Sequence, residues 1–231
     1  MRGGTDGMTG LMRNANGSLF DFGPLAPLYE GWYDTDMGQA FDRIQRRDVL
    51  SLLEPYTPGG MVLDVGCGTG HWSGFFEQLG FRVVGVDVSE LMIREARLAH
   101  PNCRFQRADA VRLPFSDGSM DMVAAMAALE FMAQPLDALA EMIRCLKPGG
   151  RVLIGTLNRL APINQQRLLE GEEPYASGRL YSPSDLWRLL SRFGRVRMVG
   201  STMQQPASPV AGPPPGDAFA DSSLLVAEVL P

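Results

Sequence analysis

The run VLDVGCGTGHW, Val62 to Trp72, drives an apolar strand straight into three glycines at alternate positions, a junction that few folds can use. Without Cβ atoms, Gly66, Gly68 and Gly70 reach positive φ and let a bound molecule lie against the main chain. The start of the following helix adds unpaired N–H donors. A turn that only packed strand on helix would read the same way, so the loop alone marks a place rather than a ligand.

From Gly60 onward short apolar strands alternate with amphipathic helices, the pattern of βαβ units and a parallel sheet. Strands are expected at 61–65, 82–87, 103–107, 120–125, 151–156, 195–200 and 223–229, with helices at about 70–80, 89–100, 135–146 and 183–193. In the last helix Ser182 caps, Pro183 opens the first turn, Asp185 completes an S-x-x-D box and Gly194 ends it. An earlier helix follows Asp36, read as its N-cap, and shows Phe41, Ile44, Val49, Leu52 and Leu53 on one face before Pro55 and Pro58-Gly59-Gly60.

The organisation read from this is a flexible Gly-rich tail at 1–18, an aromatic-rich cap and helix at 19–60, and an α/β core at 61–231. Within the core, 157–181 is an insert on the substrate side and 201–222, with PASPVAGPPPGD, is a Pro-rich surface link. The 21 Lys+Arg against 26 Asp+Glu give a formal charge of −5, and no basic block gathers to track a phosphate backbone, so nucleic acid is not an expected partner. No apolar run reaches the roughly 18 to 20 residues of a membrane span. Three widely spaced cysteines, Cys67, Cys103 and Cys145, suit neither a disulfide framework nor a metal site and point to free thiols in the cytoplasm. Oligomeric state is not readable.

The second strand ends at Asp87, about 20 residues beyond the first loop glycine, where an acid meets ribose hydroxyls in dinucleotide-binding folds. Ser89 already serves as a cap for the next helix, which leaves Asp87 for a ligand. Nicotinamide and flavin loops read G-x-G-x-x-G, whereas here His71 follows Gly66-Cys67-Gly68-Thr69-Gly70. Asp64, at the end of the first strand, suits the ammonium group of an amino acid and would repel a pyrophosphate.

With VLDVGCGTGHWS (62–73), VVGVDVSELMI (83–93), ADAVRLPFSDGSMDMV (108–123), AALEFM (127–132) and LKPGGRVLIGT (146–156), the chain resembles the class I S-adenosylmethionine-dependent methyltransferases. The resemblance is to the small-molecule branch that includes the ubiquinone/menaquinone-biosynthesis type. It implies an α/β, doubly wound, seven-stranded and mostly parallel sheet with helices on both faces and an antiparallel last strand. It also implies S-adenosyl-L-methionine as cofactor and a small-molecule acceptor. Asp64, Gly66, Cys67 and Gly68 would sit at the methionine portion; Asp87 would hold the ribose hydroxyls with Val88 beside the adenine. Asp109 would accept from the adenine amino group, the Ala110 N–H would meet the ring, and Leu129 would line the pocket near the sulfonium.

The sulfonium is an activated donor, so alignment and exclusion of water can suffice for transfer. No catalytic residue is assigned, because the Leu-Glu-His common after the family's fourth strand reads Leu129-Glu130-Phe131. The acceptor-side candidates are Tyr29, Trp32, Tyr33, Glu130, Tyr175 and Tyr181, each also readable as simple packing. Arg159, Arg167 and Arg179 in the insert are available to an acidic group. The rival reading is a protein that binds S-adenosylmethionine or S-adenosylhomocysteine without catalysis.

Overall fold

The computed structural model describes residues 17–215 and 218–231. In chain order the elements are α1 (Ala26–Tyr29), α2 (Asp36–Leu53), β1 (Met61–Val65), α3 (His71–Gln78), β2 (Arg82–Asp87), α4 (Glu90–Ala99), β3 (Arg104–Arg107) and β4 (Met120–Met126). Then come α5 (Pro135–Cys145), β5 (Leu146–Leu157), α6 (Pro162–Glu170), α7 (Pro183–Leu190), β6 (Arg195–Val199), β7 (Val210–Ala211) and β8 (Leu224–Leu230). The sheet runs β3-β2-β1-β4-β5-β8-β6-β7. Its pairs are parallel from β3 to β5 and antiparallel at β8 and beyond.

Both faces of the sheet are covered, which is why its strands read as nearly continuous apolar runs. On one face Leu139 and Met142 of α5 and Leu186 and Leu190 of α7 pack on Leu63, Val123 and Ile154. On the other, Val49, Leu52 and Leu53 of α2, Phe75 and Phe76 of α3 and Ile93 of α4 pack on Val62, Leu153 and Val226. Each such buried side chain contributes about 1.5–3 kcal/mol. β8 lies inside the sheet, and its one acid, Glu228, is buried between Arg151 (2.8 Å) and Arg197 (2.7 Å).

Several expectations are corrected. The sheet has eight strands rather than seven, because two residues of the Pro-rich segment, Val210 and Ala211, add an edge ladder to β6 through Arg197 and Met198. Thr35, not Asp36, caps α2: its side chain accepts from the Gly38 N–H at 3.0 Å, leaving Asp36 in the first turn where its charge suits the helix dipole. The insert 157–181 carries a helix, α6, opened by Pro162 and stopped by Gly171 at φ +66°. Residues 1–16 of the expected tail lie outside the described residues. Gly17 and Ser18 do not belong to a tail, since the Gly17 carbonyl accepts from Ala133 N–H, Ser18 bridges to Met132 and the Leu19 N–H donates to the Phe131 carbonyl at 2.7 Å.

β1 is the switch point of the topology, with β2 on one side and β4 on the other. Ligand crevices open there, beyond the carboxyl ends of the strands. Among the described residues no helix is long and apolar enough to cross a membrane.

Candidate active site

The β1–α3 turn crosses the top of the switch point with Gly66, Gly68 and Gly70 at φ +72°, +53° and +92°. A Cβ on Gly66 would stand 2.6 Å from that of Ala128, whereas at Gly68 it would point into open space. The first glycine therefore lets the loop dock on the segment after β4, and the second leaves the main chain bare. Asp87 fixes the loop from the neighbouring strand: its carboxylate accepts the Gly68 N–H at 3.0 Å and the Ser89 N–H at 2.8 Å. Burial raises its pKa, and the N–H donors pull the other way.

Two cavities open here. The first is a slot of about 90 Å³ lined by Gly66, Gly68, Asp87, Val88, Asp109 and Ala110, with Ala127, Ala128 and the strap Gly17–Phe22 closing it. The strap passes so close that a Cβ on Gly17 would meet the Asp109 carboxylate at 2.7 Å. The second, of about 260 Å³, is walled by Tyr29, Trp32, Tyr33, Phe41, Tyr175 and Arg167. Phe22, Tyr29, Ala127 and Phe131 line both.

Three of the cofactor-side candidates do not line the slot. Asp64, 1% exposed, lies under the loop and takes the Ser73 hydroxyl at 2.6 Å; burial pushes its pKa up to about 6. Cys67 points into the α2–α3–α4 core. Leu129 is fully buried in the opposite core, because Ala127 at φ 50° bends the chain after β4 and hands the lining to Ala127 and Ala128. On the acceptor side Glu130 and Tyr181 line neither cavity. Glu130 turns inward to the Thr156 hydroxyl (2.9 Å) and the Leu157 N–H (3.1 Å), and burial lifts its pKa to about 7. Tyr181 packs in the core. The strap, Phe41, Gln45, Ser223 and Leu224 went unseen in the sequence, since no spacing links them.

His71 lines neither cavity but ties the cap to the loop. Its ring stacks on Tyr33 (centroids 3.6 Å apart, 11° between planes), Nε2 lies 2.7 Å from Asp42 and Nδ1 3.6 Å from Glu30, which also accepts from the Thr69 hydroxyl. Burial alone would lower the pKa of His71, but the two carboxylates outweigh it and the net shift is upward, with Glu30 and Asp42 shifted down in return. The proton on Nε2 goes to Asp42, so Arg46 at 3.4 Å stands beside it as a second cation on the same carboxylate. A raised histidine stabilises fully below its unfolded value near 6.5 and loses that contribution as pH climbs through its folded value. The lowered acids keep their share until pH falls below the ordinary carboxylate range. Protection of residues 29–42, taken as exchange relative to the intrinsic base-catalysed rate at each pH, is therefore expected to be greater at pH 5.5 than at pH 8.5, and His71→Gln should remove most of that difference. Equal protection at both pH values in the unaltered protein would refute the tie.

A methyltransferase-domain family matches residues 63–154, from within β1 to within β5. A demethylmenaquinone methyltransferase of Renibacterium salmoninarum is 38% identical over 134 residues, covering 58% of this chain and 55% of that protein. A malonyl-[acyl-carrier protein] O-methyltransferase of Pectobacterium atrosepticum is 35% identical over 119 residues, 51% of this chain and 47% of that one. The chain thus aligns with about half the length of the curated relatives it matches. Among solved structures, a SAM-dependent methyltransferase of Thermotoga maritima superposes with a TM-score of 0.68 at 21% identity, over 90% of this chain and 97% of that one.

Proposed function

Taking as premise that residues 63–154 belong to the methyltransferase-domain family, we propose that the chain transfers a methyl group from S-adenosylmethionine, held in the slot, to a small molecule in the aromatic cavity. The observation that carries this is the shared wall: Phe22, Tyr29, Ala127 and Phe131 face both spaces, so two ligands would meet across them. The donor-side residues fit such a cofactor: Gly68 leaves bare backbone, Asp87 presents a carboxylate to a diol, and Asp109 and Ala110 lie farther along the same slot.

When bound, the cofactor supplies a methyl group already activated by its sulfonium. The chain's part is to bind, align and keep water out. Tyr29 offers the single titratable group on the shared wall, and burial pushes its phenol well above the usual range, so it stays protonated and does not act as a base. Glu130 faces away. The acceptor is therefore one that already carries a free lone pair or that gives up its proton to solvent. The matched relatives act on unlike molecules by their names, and of the residues lining the aromatic cavity, Ala127 and Phe131 alone fall inside the family match. Acceptor choice belongs to the cap, the insert and the start of β8. The buried free cysteines are consistent with a reducing compartment such as the cytoplasm.

The test is calorimetric titration with S-adenosylmethionine and S-adenosylhomocysteine, followed by transfer of labelled methyl to a panel of small acceptors. Trp32→Ala is expected to cut transfer by about a hundredfold through loss of alignment while leaving cofactor affinity within about twofold, since Trp32 lines the acceptor cavity alone. Tight cofactor binding with no transfer to any acceptor would favour a binding protein without catalysis. No cofactor binding would overturn the proposal.

A further inference from the structure

Among the described residues the aromatic cavity carries one cation, Arg167, and its position narrows the acceptor. Resting on the two-ligand reading above, we propose that the cavity takes a planar acid, with Arg167 receiving its carboxylate as a handle remote from the methylated atom.

Of the three arginines in the insert, Arg159 is engaged by Asp185 at 2.7 Å and Arg179 lines no part of the cavity, whereas Arg167 does line it. Its side chain is 16% exposed, and its guanidinium lies 4.2 Å over the Tyr175 ring. Stacking holds the plane and leaves the N–H edge available, the arrangement in which arginine meets a carboxylate with two parallel hydrogen bonds. The protein does not use that edge up. Glu172 stands at 3.7 Å, beyond hydrogen-bond reach, and is 47% exposed, so water screens it; Asn164 accepts weakly at 3.4 Å. Among the described residues no carboxylate lines the cavity itself, so an anion there meets Arg167 with only the exposed, solvent-screened Glu172 behind it.

The remaining lining sets the shape of the guest. Phe22, Tyr29, Trp32, Phe131 and Tyr175 present ring faces and edges that favour a flat, conjugated body over a branched or strongly hydrated one. Arg167 lines the aromatic cavity and not the slot, while the reacting atom belongs at the wall common to both. The acid is therefore bound at one end and the methyl group accepted at the other.

The experiment compares 2-naphthoate with 2-naphthamide, nearly identical in outline and different in charge, by calorimetric titration of the whole chain. The acid is expected to bind about tenfold or more tightly than the amide. Arg167→Met should weaken the acid by a similar factor and change the amide by less than about twofold. Equal affinities in the unaltered protein, binding of neither probe, or equal weakening of both by the substitution would overturn the proposal. The last result would mean that Arg167 only props Tyr175. If Arg167→Met fails to fold, the acid-to-amide ratio in the unaltered protein decides alone. S-adenosylmethionine titrated into the same samples reports on the slot independently, so failure of the transfer reading and failure of this one are read from different ligands.

Discussion

A chain ended before Asp221 is expected to collect in the insoluble fraction. The residues removed include β8, which lies between β5 and β6 and bonds to both over nearly its whole length. Leu224, Leu225, Val226 and Val229 are all buried, at about 1.5–3 kcal/mol each, which together rivals the 5–15 kcal/mol net stability of a typical domain. Two further losses compound this. Arg151 and Arg197 would keep their partly buried charges without Glu228, and the facing edges of β5 and β6 would be left as open ladders that recruit other chains. Expression of the truncated and full chains side by side, with solubility and cooperative thermal unfolding as readouts, tests this. A soluble, cooperatively melting truncation would show that β8 is dispensable.

The second large effect is expected at Asp87. Asp87→Ala removes the carboxylate proposed to accept from the cofactor's ribose hydroxyls and also frees the Gly68 N–H, so the loop loses its tether to β2. Hydrogen bonds to a charged group are worth about 1.5–3 kcal/mol, which predicts S-adenosylmethionine binding weakened about ten- to a hundredfold. Asp87→Asn, which keeps one oxygen for the Gly68 N–H, should fall between the two. Unchanged affinity in a folded Asp87→Ala protein would make this residue a loop tether alone.

What could be read beforehand follows from where physical constraint is local. The β1 turn, Asp87 and the Lys147-Pro148-Gly149-Gly150 approach to β5 are legible because a tight backbone, a strand end or a turn dictates residue type within a few positions. The order of strands follows from the same alternation. The edge strand β7 was not legible: its two residues sit among prolines and pair through backbone alone. The displacement of Leu129 by Ala127 and Ala128 depends on one alanine at positive φ, which no propensity announces. The aromatic cavity draws Trp32, Phe131, Arg167 and Leu224 from four distant segments, and only the tertiary fold sets them side by side.

The two ends of the sheet are unequal places to work. The described chain begins at Gly17, in the wall of the slot and pressed against Asp109, whereas β8 runs antiparallel to β6 and brings Leu230 to the opposite rim, beside Arg195 at the start of that strand. With the cofactor held in the slot as proposed, a purification handle or fluorescent fusion placed ahead of Gly17 is expected to crowd that side of the slot and narrow the doorway for cofactor exchange. The same handle placed after Pro231 would hang from the far side. Turnover compared between the two fusions, with equilibrium affinity held as the reference, separates traffic through the doorway from grip inside it.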